Sequence, residues 1–334
     1  MRLDELQKLA RRRRLDAVLV CGQANVRALT GVDCDNAVLS YDGDFRFHTD
    51  FRYVPMVHRV APDLKVVDMK RLSIRAGAKR IGYESSVTQA RFEALRKLAP
   101  RAKFVDVAED LSAIRAVKTF DELERLRAAE RLNCEIWTEA RAAFRPGMTE
   151  RAMARIIQHL MIERGEGEAF ETIVCVGQNA AECHHEPDDT VWNGRESVLV
   201  DMGVRLDGVC SDLTRNIVPA RPSSLYRRVY SVVQAAHDAA IAAARPGMTA
   251  AALDRVARAL IRKEGFGKCF GHSLGHGVGF EIHEAPTVSG RSKVVLKPGM
   301  VVTIEPGIYL EGNLGVRIED MIVITESGCE LLSL

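Results

Sequence analysis

Four acids in the second half of the chain sit where acids are seldom left unattended. Asp201 closes the apolar run "VLVD", Asp212 precedes "LTRN", Glu305 closes "VVTIE" and Glu319 ends "GVRIE". Each couple has the same layout: an apolar strand reaching a carboxylate, Gly-containing turn chemistry, and a return strand with a second carboxylate. The turns fall near Leu206–Gly208 and near Gly312. If each couple forms a hairpin, its two acids lie roughly opposite one another on one face, with Cβ atoms about 5 Å apart. Four carboxylates facing one interior cannot all remain ionised without cations. Solvated loop acids would be the plainer explanation, but the apolar flanks fit it poorly. Two divalent ions would neutralise the set, and bridging carboxylates hold such ions about 3.5–4 Å apart, a spacing suited to hydrolysis. Oxygen-rich ligation favours Mn²⁺-like or Co²⁺-like ions over a purely structural zinc.

Histidines gather beside these acids. The stretch "GHSLGHGVGFEIHEAP" holds His272, His276 and His283, three of the nine in the chain. His272 and His276 are four apart, yet Gly271, Gly275, Gly277 and Gly279 argue against a helix there. No H-E-x-x-H is present, so a zincin reading fails. The glycines instead predict close backbone approach and unusual φ/ψ. They lack the Lys-Ser/Thr ending of a phosphate-binding loop. A further pair, His184 and His185, sits in "ECHHEPDD".

The elements that must carry these residues are marked by a repeated string. "RPGMT" occurs at Arg145–Thr149 and again at Arg245–Thr249. It reads as helix punctuation: Arg at a helix C-terminus, Pro-Gly to stop and turn, and Thr to cap the next helix. Met148 with Met153, and Met248 with Leu253, have the spacing of a hydrophobic staple. The flanks align without a gap, bringing Gly165, Gly167 and Phe170 onto Gly265, Gly267 and Phe270. The pattern predicts a duplicated half, helix, helix and strands, packed about a pseudo-two-fold axis, with one acidic pair from each copy. Thr119 and Glu122 form a capping box that opens the first long helix, which places a domain boundary at residues 118/119. Residues 3–118 alternate strand and helix signals, including a hairpin turn at Asp42-Gly43, and predict an α/β layer domain.

Composition narrows the function classes. Apolar residues make up 47% and charged residues 28% of 334, which suits a globular chain of two domains. A net charge of +2 gives no field that would suggest nucleic acid or a membrane surface as partner. The basic run Arg11–Arg14 reads as a solvated helix end. No apolar stretch approaches the ~20 residues of a membrane span. The beginning shows no signal-peptide pattern. Eight cysteines scattered singly fit reduced thiols in a cytoplasm.

The motifs "VDMG", "SDLTRN", "GHSLGHGVGFEIHEAP", "TIEPGIY" and "VRIED", in that order, resemble the pita-bread metallopeptidase family that includes aminopeptidase P, prolidase and methionine aminopeptidase. The resemblance covers residue 119 to the end. Residues 1–118 are similar to a creatinase-type N-terminal domain, through "HTDFRY" and the order of strands and helices. The fold class expected is therefore α/β (α+β), with an N-terminal creatinase-like domain and a C-terminal, internally duplicated pita-bread domain. The resemblance implies that Asp201, Asp212, His276, Glu305 and Glu319 bind two metal ions, with Asp212 and Glu319 bridging. Mn²⁺ is the first expectation, with Co²⁺, Zn²⁺ or Fe²⁺ as alternatives. It further implies Glu305 as general base, His283 as oxyanion donor, and His184 as a substrate-binding histidine. The family usually has Pro before that His, whereas Cys183 stands here, so His185 stays open as its alternative. His272 and Arg317 are implied to line the pocket, Arg317 holding Glu319 or a partner subunit's acid at the Asp50 position. Tyr309 is a further candidate substrate contact.

The reaction implied is hydrolysis of the bond between an N-terminal residue and proline, by a homodimer. Thr287 stands where many dipeptide-selective members carry an Arg, which turns the expectation toward an Xaa-Pro aminopeptidase, with Xaa-Pro dipeptidase (prolidase) as the alternative. A metal-free creatinase-like hydrolase and a non-catalytic peptide-binding module are the remote alternatives, and the intact ligand set argues against both.

Overall fold

Ala17–Val20 is an apolar run of four, and every residue in it is buried. Only a central strand covered on both faces needs that composition. The computed structural model describes residues 1–333 and divides the chain into two units, Met1–Arg115 and Ala116–Leu334. The first runs α1 (Leu3–Arg13), β1 (Ala17–Val20), α2 (Gln23–Thr30), β2 (Val38–Tyr41), β3 (Phe45–Thr49), α3 (Val54–Val60), β4 (Val66–Asp68), β5 (Arg80–Tyr83), α4 (Gln89–Leu98), β6 (Lys103–Asp106) and α5 (Ala108–Ala116). Its six-stranded sheet has the order β4-β3-β2-β1-β5-β6. Val18 and Val20 pack with Leu6, Leu9 and Phe47, while Ala17 and Leu19 pack with Ile81 and Leu95 on the other face. The hairpin expected at Asp42-Gly43 joins β2 to β3, with Gly43 at φ 114°. Arg11, Arg12 and Arg13 form the exposed last turn of α1, as a solvated helix end should.

The second unit begins slightly before the expected boundary. Lys118 N donates to the Gly299 carbonyl (2.8 Å) and Val117 bridges Met300, so both residues belong to it. Thr119 and Glu122 then form the capping box that opens α6 (Phe120–Ala143). The first half continues with α7 (Glu150–Arg164), β7 (Ile173–Val176), β8 (Val198–Met202), the short pair β9 (Arg205–Leu206) and β10 (Val209–Cys210), and β11 (Leu213–Ile217). The second half repeats two helices, α8 (Ser224–Ala243) and α9 (Ala250–Lys263). It adds β12 (Gly275–Gly277), β13 (Glu284–Val288), β14 (Val301–Ile304), β15 (Gly307–Leu310), β16 (Leu314–Arg317), β17 (Asp320–Ile324) and β18 (Cys329–Leu331). β11-β8-β7 form one sheet and β13-β12-β14-β17-β18 another. No helix among the described residues is long and apolar enough to cross a membrane.

The two RPGMT copies make matching bonds. Thr149 and Thr249 each accept from the amide three residues on, Ala152 N (3.1 Å) and Ala252 N (3.2 Å). Gly147 and Gly247 both take positive φ, 96° and 81°. Gly147 N donates to Trp192 O and Gly247 N to Leu296 O, at 2.8 and 2.9 Å. Trp192 N and Leu296 N return bonds to Met148 O and Met248 O, each 2.8 Å. Met148 and Met153 join one apolar cluster, Met248 and Leu253 another. The string therefore works as a stop, a turn and a cap in each half.

Strand register sets where the acids fall. Ile304 pairs with Asp320 and Gly307 with Arg317. Glu305 and Glu319, lying between those pairs, come directly opposite. In the first half Asp201 pairs with Thr214 and Met202 with Leu213. Asp212 therefore lies diagonal to Asp201 rather than across from it, a correction of one strand repeat to the expected hairpin. The two sheets meet where Thr214 bridges Glu319, and Thr214 is itself the strand partner of Asp201, so acids of both couples come to the seam.

Because the two capping hydroxyls share no partner, Thr149→Ala and Thr249→Ala should each lower stability by about 1 kcal/mol. The double variant should lose about 2 kcal/mol, the sum expected of independent sites. Urea titration followed by helix circular dichroism measures both. A strongly non-additive loss would mean that the two turns are coupled.

Candidate metal centre

The seam between the sheets gathers the acids in a cavity of about 840 Å³ lined by Asp201, Asp212, Glu305 and Glu319 together with His184, His272, His276 and His283. Ligand atoms of Asp212, His276 and Glu319 lie within 4.8 Å of one another. His276 Nε2 stands 3.4 Å from Asp212 Oδ2 and 3.5 Å from Glu305 Oε1. Asp212 and Glu319 are almost fully buried, at 4% and 2% exposure. Burial first, then the neighbouring carboxylates, pushes both carboxyl pKa values well above the ordinary range. Glu305 rises to about 8, again chiefly through burial, with Asp201 adding to the shift and Arg317 opposing it.

The donor set suits divalent cations on its own chemistry. Asp201 Oδ1 is buried and accepts no hydrogen bond from the protein. Burial lowers the His276 pKa to about 4, so its ring is neutral. His276 Nδ1 faces the Gly277 carbonyl at 3.1 Å. A carbonyl can only accept, so Nδ1 carries the proton and Nε2 turns a lone pair toward the acids. Four carboxylates and one neutral imidazole are ligands for hard or borderline divalent ions. The residues expected as metal ligands are thus brought together, on strands or next to strand ends from both halves.

The glycines of the histidine stretch permit this. A Cβ on Gly275 would lie 2.0 Å from Thr303 O, and one on Gly277 would lie 2.2 Å from Ala285 O. None of Gly271, Gly275, Gly277 and Gly279 has positive φ. The expectation of close approach therefore holds at the strand, whereas the unusual φ/ψ does not. Gly271 has open space where its side chain would be.

Arg317 is placed differently from the expectation. Its Nη2 donates to Asp201 Oδ2 at 2.6 Å, not to Glu319. Glu319 Oε2 accepts instead from Thr214 Oγ1 (2.6 Å), and Thr214 Oγ1 accepts from Arg317 Nε (3.0 Å). The register explains the choice, since Thr214 pairs with Asp201 on its own sheet and bridges Glu319 across the seam, and so lies between the two acids. Asp50 is bound within its own unit by Arg52 and Asn36. Arg317 Nη1 donates to the Tyr309 hydroxyl (2.8 Å), which faces His272 Nε2 (2.9 Å). His272 Nδ1 faces the Ser273 carbonyl (2.8 Å), which leaves Nε2 to accept from Tyr309. Burial, then the Arg317 charge, lowers His272 to about 4 and keeps it neutral. Asp201, Arg317, Tyr309 and His272 therefore form one chain of hydrogen bonds. Tyr309 is not among the residues lining the cavity, and its hydroxyl is engaged by Arg317 and His272.

His283 lies in the cavity wall with its ring 4.4 Å from that of His276, edge to face. His184 and His185 both line the wall, and His185 Nε2 is also held 2.7 Å from buried Glu150. That contact distinguishes the two neighbours: among the described residues His185 is tied to Glu150, and no hydrogen bond ties the His184 ring.

Sequence reasoning missed Thr214, Glu150, Asp254 and Glu130. Thr214 had a signal, standing two residues after Asp212 and so on the same face of a strand. Glu130 had none: it is fully buried behind Asp212 and accepts from its backbone N at 3.1 Å.

A carboxyl whose pKa is higher folded than unfolded contributes its stability below the unfolded pKa and loses it as pH rises through the folded value. Chelator-treated protein should therefore lose thermal stability as pH climbs from the usual glutamate 4.5 through the value of about 8 held by Glu305. Asp212→Asn removes one of the crowded charges. It should raise the melting temperature of chelated protein at pH 8 while abolishing tight binding of divalent metal. Calorimetry and metal analysis test the pair, and a lower melting temperature would contradict the repulsion assigned to these acids.

The profile of Metallopeptidase family M24 matches residues 124–326, and that of the Creatinase/Prolidase N-terminal domain matches residues 2–117. A Pyrococcus furiosus protein named Xaa-Pro dipeptidase is 35% identical over 346 residues, spanning 99% of this chain and 97% of the relative. The structure titled prolidase from Pyrococcus horikoshii superposes with a TM-score of 0.94 at 31% identity, covering 100% of this chain and 98% of that one. The X-Pro aminopeptidase from Thermotoga maritima gives 0.87 at 31% identity, covering 98% and 97%. A two-unit chain with an acid-lined seam and both family profiles end to end belongs to metallopeptidase family M24, with a creatinase/prolidase N-terminal domain.

Proposed function

We propose that this chain is a dinuclear-metal Xaa-Pro dipeptidase, a prolidase. The observation that carries the reading is the gathering of Asp201, Asp212, His276, Glu305 and Glu319 in one cavity, in a chain resembling Xaa-Pro dipeptidases along nearly its whole length. The sequence had pointed first to an Xaa-Pro aminopeptidase, on the strength of Thr287. Thr287 does line the cavity, and the likeness to an X-Pro aminopeptidase keeps that activity as the second reading. The weight of the named relatives lies with the dipeptidases.

The five residues would hold two divalent cations, and Mn²⁺ is the ion we favour for this oxygen-rich set. When bound, such ions supply Lewis acidity and lower the pKa of an attacking water. The chain's own residues do the rest. Glu305, 3.5 Å from His276, would act as the general base, accepting a proton at its carboxylate. His283 donates to the oxygen of the scissile carbonyl as its charge develops. His184 holds the substrate from the opposite strap. Phe170, Ile173, Ile282 and Pro187 give the wall apolar surface for the proline ring. An Xaa-Pro bond has no N–H, so the cavity needs no acceptor for one. We place the protein in the cytoplasm as a homodimer, the first on its eight free thiols and the second on the family resemblance.

With Mn²⁺ restored after chelation, Xaa-Pro dipeptides should be cleaved faster than Xaa-Pro-Xaa tripeptides, and non-proline dipeptides poorly. Tripeptides cleaved as fast would transfer the assignment to the aminopeptidase, and full activity after chelation would exclude both. His283→Ala should keep both ions and lose about 10²–10³-fold in turnover, the scale of one oxyanion donor. Wild-type turnover in that variant would remove His283 from its role.

A further inference from the structure

Glu150 is the first residue of α7, next to the Thr149 cap, and is fully buried. Its carboxylate receives four donors. Oε1 accepts from Val176 N and from Asn179 Nδ2 (2.9 Å), and Oε2 from Asp188 N (3.1 Å) and His185 Nε2 (2.7 Å). The donors span residues 176–188, the strap that carries His184 into the cavity wall. Glu150, His185 and Asp188 bring ligand atoms within 4.8 Å, which could suggest a second cation site. The lone pairs of Glu150 are already occupied, two of them by backbone N–H groups that a cation would leave unpaired and buried. The cluster is a clamp.

Among the described residues, none hydrogen-bonds the His184 ring. Its place over the cavity is therefore set by the strap, and the strap is set by Glu150. The other half has a counterpart. Asp254 on α9, also fully buried, accepts from Leu274 N (3.2 Å) and grips both Nε and Nη2 of Arg258. Arg258 donates in turn to the carbonyls of Phe270 and His272, at 2.9 and 2.8 Å. Each half thus braces a histidine strap with a buried acid from the helix that follows its RPGMT turn. The positions are not equivalent, since Ala250 aligns with Glu150 and Ala154 with Asp254.

We propose that Glu150 is a positioning residue of the peptidase site, holding the 176–188 strap so that the His184 ring meets the substrate. The inference rests on the reading of the site as an Xaa-Pro peptidase. Misplacing a substrate-holding group by about 1 Å can cost about 10²-fold, so Glu150→Gln should lose about that much in kcat/KM. It should still bind two ions per chain. Glu150→Asp should recover part of the loss.

A double-mutant cycle separates positioning from general damage. In a His184→Ala background, Glu150→Gln should change kcat/KM by no more than about twofold, because the residue it positions is gone. Equal losses in both backgrounds would overturn the proposal. A second readout needs no turnover: in chelated, ¹⁵N-histidine-labelled protein, Glu150→Gln should shift the ring signals of both His184 and His185 while those of His283 stay. An unmoved His184 ring would overturn the proposal equally. Should Glu150→Gln fail to fold, His185→Gln opens the same clamp from its other end and should show the same coupling to His184. If wild-type protein cleaves no Xaa-Pro bond yet the His184 ring shifts, positioning stands and the peptidase reading falls.

Discussion

Asp212 and Glu319 lie almost wholly out of water, with Asp201 and Glu305 beside them, at a seam where two sheets meet. Burying carboxylates this close together is expensive unless positive charge accompanies them. Arg317 answers part of the need by binding Asp201, and divalent cations are what the rest of the donor set suits. The surrounding architecture follows from this demand. The His276 proton is held on the ring nitrogen facing Gly277, so that its lone pair faces the acids. Thr214 spans from Glu319 to Arg317, linking an acid of one half to the cation that serves the other. Glu130 reaches the Asp212 amide from behind.

The seam has this composition because the domain is built from two similar halves. Each supplies two helices joined by the same five-residue turn, and each supplies a strand pair that ends in acids. Neither half gathers the acid cluster alone, since each carries only two of the four carboxylates. The halves have diverged where the site required it. The first keeps its acids diagonal across β8 and β11, and the second sets them directly opposite beside β14 and β17. The histidine straps likewise use different buried acids for the same bracing task.

The cavity separates two kinds of histidine. His276 and His272 are half-buried and neutral, one a lone-pair donor and the other an acceptor for Tyr309. His184 and His283 stand in the wall, and among the described residues neither ring makes a hydrogen bond, although that of His283 packs edge to face on His276. That division rests on hydrogen bonding more than on residue type, since all four rings line the same cavity.

Much of this was legible in the amino-acid order. The acids at strand ends, the RPGMT punctuation, the staple methionines and the Asp42-Gly43 hairpin are local patterns, governed by backbone preference and short-range bonds within one chain segment. The likeness of "GHSLGHGVGFEIHEAP" and its companion motifs to a metallopeptidase family added the ligand set. What only the tertiary structure decided involves partners far apart in sequence. Arg317 chooses Asp201 over Glu319 because strand register puts Thr214 between them. His184 is free and His185 is not because Glu150, which looks like any first-turn acid, is buried against the strap. Val117 and Lys118 join the second unit because Gly299 and Met300 take their backbone bonds. Local pattern names the residues that can do chemistry, but which of them touch is fixed by packing between distant segments, where one residue of register exchanges every partner.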